Sequence, residues 1–136
     1  MKHAFTTQVY YQDTDAYGVV WHGSYLRWLE IGRVKMCEDA GFKLSELAQE
    51  DIVLPVAELN IKYKNSAKLE DKILIETQVI EKGRFYIIFR QFIKSENEEK
   101  TYIEALVKVV AIHKDGKLYR SLPEQVETIC SVKADN

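Results

Sequence analysis

The segment from Tyr11 to His22 concentrates residue types that take part in chemistry. It carries two carboxylates, those of Asp13 and Asp15, and ends with the imidazole of His22. Gly18 lies between Asp15 and His22. Neighbouring carboxylates repel each other, and moving a carboxylate towards an apolar pocket costs desolvation free energy. Proteins therefore use such groupings for chemistry more often than for packing. From residue types alone, Asp15 fits two roles, that of a catalytic group and that of a residue that caps a helix or shapes a turn.

Two contrasting patterns flank this segment. Residues 4–12 alternate between apolar and polar types and predict a strand, whereas the apolar residues after Ser24 recur with a helical period. Gly41 is predicted to end this long helix, and Ser45 to cap a short second one. A last helix is predicted to begin at Pro123. Four further strands are predicted at residues 52–64, 72–81, 84–94 and 101–113.

The order of these elements predicts an α+β fold in a single domain, residues 1–136. Consecutive strands joined by short turns form an antiparallel sheet, and a helix that is apolar over a wide arc needs broad cover. A curved antiparallel sheet wrapped around the one long helix meets both needs. Apolar residues also occur on the second faces of the strands, which predicts contact with a partner subunit.

The composition argues against several functional classes. The net charge of this chain of 136 residues is −2, so no overall basic field attracts nucleic acid. No segment resembles a signal peptide, and no apolar run approaches the roughly 18 residues of a membrane span. Cys37 and Cys130 have neither metal-site nor disulfide-framework spacing, which predicts free thiols. The sequence therefore predicts a cytoplasmic protein with no metal, no nucleic-acid partner and no membrane insertion.

The segment with the two carboxylates resembles the signature of hotdog-fold thioesterases of the 4-hydroxybenzoyl-CoA thioesterase family. The similarity is greatest to its bacterial branch of short-chain and Tol-Pal-associated acyl-CoA thioesterases. The matching residues are Tyr11, Asp13, Thr14, Asp15, Gly18, Val19, Val20, Trp21 and His22. Weaker matches continue along the later strands, at residues 55–63, 67–75 and 104–110. Tyr17 departs from the family pattern, since small residues are frequent at that position.

The resemblance implies an acyl-CoA thioesterase that releases a free acid and coenzyme A without a metal or prosthetic group. Asp15 would be the nucleophile or the general base, and the backbone amides of His22 and Gly23, at the start of the helix, would form the oxyanion hole. Gly18 would allow the sharp turn between strand and helix. The resemblance also implies a homo-oligomer, either a dimer or a dimer of dimers (a homotetramer). Its sheets would join edge to edge, with the active site at that interface.

Four residues are predicted to contact the substrate, namely Tyr17, Gly18, Tyr25 and Arg84. The phenol of Tyr17 is expected to narrow or cap the acyl tunnel, or to stack on a flat acyl group. The guanidinium of Arg84 is expected to meet the phosphates of coenzyme A. Two alternatives stay open, in which Arg84 is a solvated hairpin residue and His22 contributes only its backbone.

Neighbouring positions also have two interpretations. Tyr25 and Glu30 either line the pocket or pair locally with two arginines of the same helix, Arg27 and Arg33. Tyr11 and Trp21 are predicted to be core residues rather than part of the pocket lining.

Three rival functions are compatible with such a sequence. The first is a non-catalytic module that binds acyl-CoA or acyl-carrier protein, although a binder has no use for an unpaired carboxylate beside a thioester. The second is a structural protein of an envelope assembly. The third is a dehydratase of the same fold, which would use a histidine and a carboxylate on the helix rather than Asp15 in the preceding turn. Release of a free thiol discriminates the thioesterase from the structural protein.

Overall fold

A five-stranded antiparallel sheet and one long helix dominate the computed structural model, which describes residues 2–131. The strands are β1 (Lys2–Gln8), β2 (Val56–Tyr63), β3 (Lys72–Lys82), β4 (Tyr86–Ser95) and β5 (Thr101–Val110). The helices are α1 (His22–Asp39), α2 (Leu44–Gln49) and α3 (Glu124–Ser131). The strand order is β1-β3-β4-β5-β2, and each neighbouring pair is antiparallel. These elements confirm the predicted α+β class.

Helix α1 packs mainly on the face of the sheet formed by β1, β3 and β4. Its buried side chains include Trp28, Leu29 and Met36, none of which is more than 2% exposed. At Gly32 the helix lies close to the sheet, because a Cβ atom at this position would lie only 2.6 Å from the Thr77 hydroxyl oxygen. The missing side chain therefore allows α1 to sit lower on the sheet than any other residue would permit.

Strand β2 forms one edge of the sheet and is exposed on both faces. Among the described residues it pairs with β5 alone. Val56, Leu59 and Tyr63 are 46%, 42% and 49% exposed, respectively. An edge strand of this kind offers unpaired backbone groups and apolar side chains to another chain. Exposed apolar residues are therefore present at this edge, and their contact with a partner subunit stays a prediction.

Several element boundaries differ from the sequence prediction. The first strand ends at Gln8 rather than at residue 12, because Tyr11–Asp13 form a single turn of 3-10 helix. Helix α1 begins at His22. Ser45 lies inside α2, so the prediction that Ser45 caps this second helix is wrong. Gly41 has a φ angle of 105° just after α1, which confirms it as the residue that ends the helix. The four later strands are present, with ends that differ by up to four residues.

The structure bears on two predictions made from the composition, one about the cysteines and one about membrane spans. Cys37 is a free and buried cysteine, and burial raises the pKa of its thiol to about 12, so it stays protonated at neutral pH. The side chain of Cys130 lies outside the described part of the chain. Within residues 2–131, no helix has the length and the apolar character needed to cross a membrane.

Candidate active site

Asp15 opens a tight hairpin between β1 and α1. Its backbone N–H donates to the carbonyl oxygen of Val19 at 2.9 Å, and its carbonyl oxygen accepts from Gly18 N–H at 3.1 Å. Gly18 has a φ angle of 79°, a conformation that favours glycine, so the predicted role of this residue in a sharp turn is confirmed. The Asp15 carboxylate is half-buried, and its Oδ1 accepts from Tyr17 N–H at 2.8 Å. Its Oδ2 has no hydrogen-bond partner among the described residues.

Asp13 connects this hairpin to the first turns of α1. Its carboxylate is almost fully buried; Oδ1 lies 2.6 Å from Arg27 Nη2, and Oδ2 accepts from Tyr10 N–H at 2.9 Å. Its carbonyl oxygen accepts from Trp21 N–H at 2.8 Å and from the Ser24 hydroxyl at 3.1 Å. Asp13 therefore has a structural role, in which its carboxylate binds the backbone of the turn. The ion pair with Arg27 was not foreseen, because the two residues are fourteen positions apart.

The first turn of α1 presents two backbone N–H groups that have no acceptor in the part of the chain that is described. They belong to His22 and Gly23, whereas the next amide, that of Ser24, donates to the Trp21 carbonyl oxygen at 2.9 Å. No side chain caps this helix start. Free N–H groups and the positive end of the helix dipole together form a site that favours negative charge.

The indole of Trp21 lies against this helix start. A Cβ atom on Gly23 would lie 2.1 Å from Cζ3 of that ring, so only glycine fits beneath the indole in its present position. The Trp21 and His22 rings are tilted against each other with centroids 5.0 Å apart. Trp21 is 51% exposed and Tyr11 is 81% exposed, so the prediction that both are core residues is wrong. Both lie in the connection between β1 and α1, outside the interface between the sheet and the helix.

A cleft of about 310 Å³ adjoins the start of α1. Its lining residues are Val20, His22, Tyr25, Tyr63, Lys64, Asn65 and Ser66. The Tyr25 hydroxyl is buried and accepts from Ala67 N–H at 3.0 Å, while the Ala67 carbonyl oxygen accepts from Val20 N–H at 2.9 Å. Burial raises the pKa of Tyr25. These bonds fix the loop after β2 against both the hairpin and α1, so the cleft has a rigid wall.

The structure brings some predicted site residues together and separates others. Asp15 and Gly18 lie in the hairpin that leads into α1, His22 and Gly23 are the first two residues of that helix, and Tyr25 lines the cleft beside its start. Tyr17 is 89% exposed at the tip of the hairpin. Arg84 lies beyond the far end of β3, a strand of eleven residues and therefore roughly 35 Å long at about 3.3 Å per residue. Within one protomer, Arg84 is thus remote from Asp15.

Sequence reasoning did not foresee the loop after β2 as part of this region. Asn65 and Ser66 are exposed, polar and unremarkable in the sequence, and only the packing of their loop against α1 places them in the cleft. The pair Trp21 and Gly23 carried a signal, since a glycine next to the start of a helix indicates a close approach. Within residues 2–131, no three histidine, cysteine or carboxylate side chains group in a way that could hold a metal ion.

Comparison with known proteins identifies the family. The sequence model of the thioesterase-like superfamily matches residues 9–128. This chain belongs to that superfamily. The acyl-CoA thioester hydrolase YbgC of Escherichia coli O6:H1 is 33% identical over 120 residues, which span 88% of each chain. YneP of Bacillus subtilis is 30% identical over 82 residues, so the match spans 60% of this chain and 59% of that protein.

A solved structure supports the fold independently. The 4-hydroxybenzoyl-CoA thioesterase of Pseudomonas sp. strain CBS-3 has a TM-score of 0.80 at 21% identity, over 94% of this chain and 96% of that one. At this identity the likeness shows the fold alone. Together the comparisons confirm the predicted hotdog fold and family, and with them the enzyme class of a thioester hydrolase.

Proposed function

We propose that this thioesterase hydrolyses acyl-CoA, with Asp15 as the catalytic carboxylate and the amides of His22 and Gly23 as the oxyanion hole. The observation that carries the proposal is the pair of N–H groups without an acceptor at the start of α1, directly after the hairpin that holds a half-buried carboxylate. The printed name of the Escherichia coli relative, an acyl-CoA thioester hydrolase, supports the substrate class. The unoccupied Oδ2 of Asp15 supports the role of a reacting group.

Two chemical routes use the same groups. In the first, an Asp15 oxygen attacks the thioester carbonyl carbon, the C–S bond breaks and coenzyme A leaves as a thiolate that takes up a proton. Water then hydrolyses the mixed anhydride to the free acid and restores the carboxylate. In the second, the Asp15 carboxylate removes a proton from a water molecule that attacks the same carbon. The C–S bond then breaks, coenzyme A leaves as a thiolate, and this thiolate takes up the proton held by Asp15. Both routes place negative charge on the carbonyl oxygen, where the two amides of α1 stabilise it.

The remaining predicted contacts surround this centre. Gly18 lets the hairpin backbone approach the acyl group, and the Tyr17 phenol at the hairpin tip covers one side of it. The Tyr25 hydroxyl supports the wall of the cleft through its bond to Ala67 N–H at 3.0 Å. The His22 side chain is exposed at the mouth of that cleft, where it can touch the substrate.

A homodimer reconciles Arg84 with this site. Antiparallel pairing of two β2 edges about a two-fold axis would place the Val56 end of one strand beside the Tyr63 end of the other. Tyr63 borders the cleft near His22, whereas the Val56 end lies at the same end of the sheet as the loop that carries Arg84. The Arg84 guanidinium of one protomer would thus reach the coenzyme A phosphates in the site of its partner. Assembly into a homotetramer and a cytoplasmic location stay predictions.

A thiol-release assay over a panel of acyl-CoA and acyl-carrier-protein substrates tests the function. We expect turnover with at least one acyl-CoA class and loss of that turnover in Asp15→Asn. A folded dimer that binds acyl-CoA with micromolar affinity but releases no thiol from any panel member would instead establish the non-catalytic binding module. Equal turnover by wild type and Asp15→Asn would refute the assignment of the carboxylate while leaving the enzyme class intact.

A further inference from the structure

Two opposite charges on α1, those of Glu30 and Arg33, form no ion pair within 4.0 Å in the described part of the chain. Glu30 is exposed and lies within 4.0 Å of no basic side-chain nitrogen. Arg33 is half-buried, and its Nη1 donates to Oε1 of the neutral Gln91 at 3.0 Å. Burial lowers the pKa of Arg33, and the charge of Glu30 in the same chain offsets this effect only in part. The predicted local ion pairs of Glu30 do not form, because Arg27 binds Asp13 instead.

Both charges border an apolar trough between α1 and the edge strand β2. The trough consists of two adjoining grooves of about 380 Å³ and about 160 Å³, and Glu30, Arg33 and Val56 line both of them. The other lining residues are Leu26, Arg27, Leu29, Leu59 and Val107 in the first groove, and Val34, Cys37, Leu44, Leu54, Pro55, Phe89 and Val109 in the second. Because α1 packs mainly on β1, β3 and β4, the inner side of β2 is left open.

The positions of the two charges match a two-fold axis. Helix α1 runs from residue 22 to residue 39, so Glu30 and Arg33 lie close to its midpoint. They are three residues apart and therefore lie on one face, about one turn from each other. When a second helix runs antiparallel across this midpoint, the order of the two charges is reversed. Each Glu30 then meets an Arg33 of the other copy, and the same rotation aligns the two exposed β2 edges.

We propose that this face of α1 is a self-complementary surface for a second copy of the chain, on which Glu30 pairs with the partner's Arg33. Two such pairs, related by the axis, supply the direct carboxylate contact that the half-buried Arg33 lacks within its own chain, and the apolar trough closes around them. The pairs also set the register of the two protomers, because sliding one helix by a turn would oppose like charges. This inference rests on the proposed homodimer and not on the proposed reaction.

Charge reversal with complementary mixing tests the pairing. Glu30→Arg makes the patch wholly positive and Arg33→Glu makes it wholly negative, so each variant alone should raise the dimer dissociation constant by about tenfold or more. An equimolar mixture should restore dissociation to within about threefold of wild type, as a heterodimer whose mass is resolved by native mass spectrometry. The double variant Glu30→Arg with Arg33→Glu should likewise dimerise. Sedimentation velocity over a concentration series measures each constant.

Glu38→Arg is the matched control, because it makes the same change of sign on an exposed position of α1 that lines neither groove. It should dimerise as wild type does. If Arg33→Glu fails to fold, Glu30→Arg still tests the pairing, since Glu30 is exposed. A wild-type dimer that is indifferent to Glu30→Arg, or single variants that form no heterodimer, would overturn the pairing alone. A wild-type chain that stays monomeric at micromolar concentration would overturn the homodimer as well.

Discussion

Replacing Asp13 with asparagine removes a negative charge from a carboxylate that is 2% exposed. The carboxylate accepts from Tyr10 N–H at 2.9 Å and lies 2.6 Å from Arg27 Nη2. An asparagine has one oxygen, so its NH₂ group must face either the Tyr10 amide or the Arg27 guanidinium, both of which are donors. One buried hydrogen bond is therefore lost and one donor is left facing another.

The size of the loss follows from these contacts. A hydrogen bond to a charged group contributes about 1.5–3 kcal/mol, and a buried donor left without an acceptor costs about 1–3 kcal/mol. The Arg27 side chain is 47% exposed, so water recovers part of its interaction and the ion pair adds little beyond the hydrogen bond. We expect Asp13→Asn to lower the free energy of unfolding by about 2–4 kcal/mol. This corresponds to a fall in Tm on the order of 10 °C.

Asp15→Asn makes the same chemical change two residues away and should have the opposite profile. The Asp15 carboxylate is half-buried, and its one hydrogen bond, from Tyr17 N–H at 2.8 Å, can be accepted equally well by an amide oxygen. The free energy of unfolding of the Asp15→Asn protein should therefore differ from that of wild type by less than about 1 kcal/mol. Turnover should fall by about 10²–10⁴, because the reacting carboxylate is gone.

The two variants are measured side by side by thermal unfolding and by thiol release at a temperature where both are folded. Asp13→Asn is expected to retain turnover within about tenfold of wild type despite its lower Tm, since no atom of Asp13 is proposed to touch the substrate. Equal catalytic losses in both variants would show that the roles of the two carboxylates are wrongly divided. A Tm for Asp13→Asn within 2 °C of wild type, on the order of the shift expected from a surface change, would refute the energetic argument.

Three further results are expected. Gly23→Ala should displace the Trp21 indole and lower kcat/KM about 10-fold to 100-fold. The same substitution should have much less effect in a Trp21→Ala background, and equal losses in both backgrounds would exclude a clash with the indole as the cause. Tyr17→Gly should change the acyl-chain profile by about 1–3 kcal/mol, and an unchanged set of kcat/KM ratios would mean that the phenol faces solvent in the assembled enzyme. Burial opposes ionisation of Glu76, but the ammonium groups of Lys94 and a second lysine outweigh it and lower the pKa of Glu76 below its usual 4.5. Glu76→Gln should therefore be less stable than wild type by about 1–2 kcal/mol at pH 7, and this difference in urea unfolding should shrink as the pH falls below 4.5 towards the lowered pKa.

The sequence predicted the fold class and the family because the signals for both are local. The alternation within each strand and the helical period after the carboxylate segment depend only on residues close in the chain. Gly18 and Gly41 were likewise predictable, since their positive φ angles, 79° and 105°, are requirements of the backbone that glycine meets. The position of Asp15 ahead of a helix start follows from the same local order.

The assembly of the site depended on contacts between residues far apart in the sequence. Nothing local indicates that Asp13 lies 2.6 Å from Arg27, or that the Tyr25 hydroxyl holds the amide of Ala67 at 3.0 Å. The solvent exposure of individual side chains was equally unpredictable, because an aromatic residue such as Trp21 is buried or exposed according to how the sheet and the helix pack. The tertiary structure alone also separated Arg84 from Asp15 by the length of β3 and left β2 open at the edge of the sheet. The physical reason is that a residue's type and local pattern determine which elements form, whereas burial, ion pairing and free edges depend on which elements become neighbours after the chain has folded.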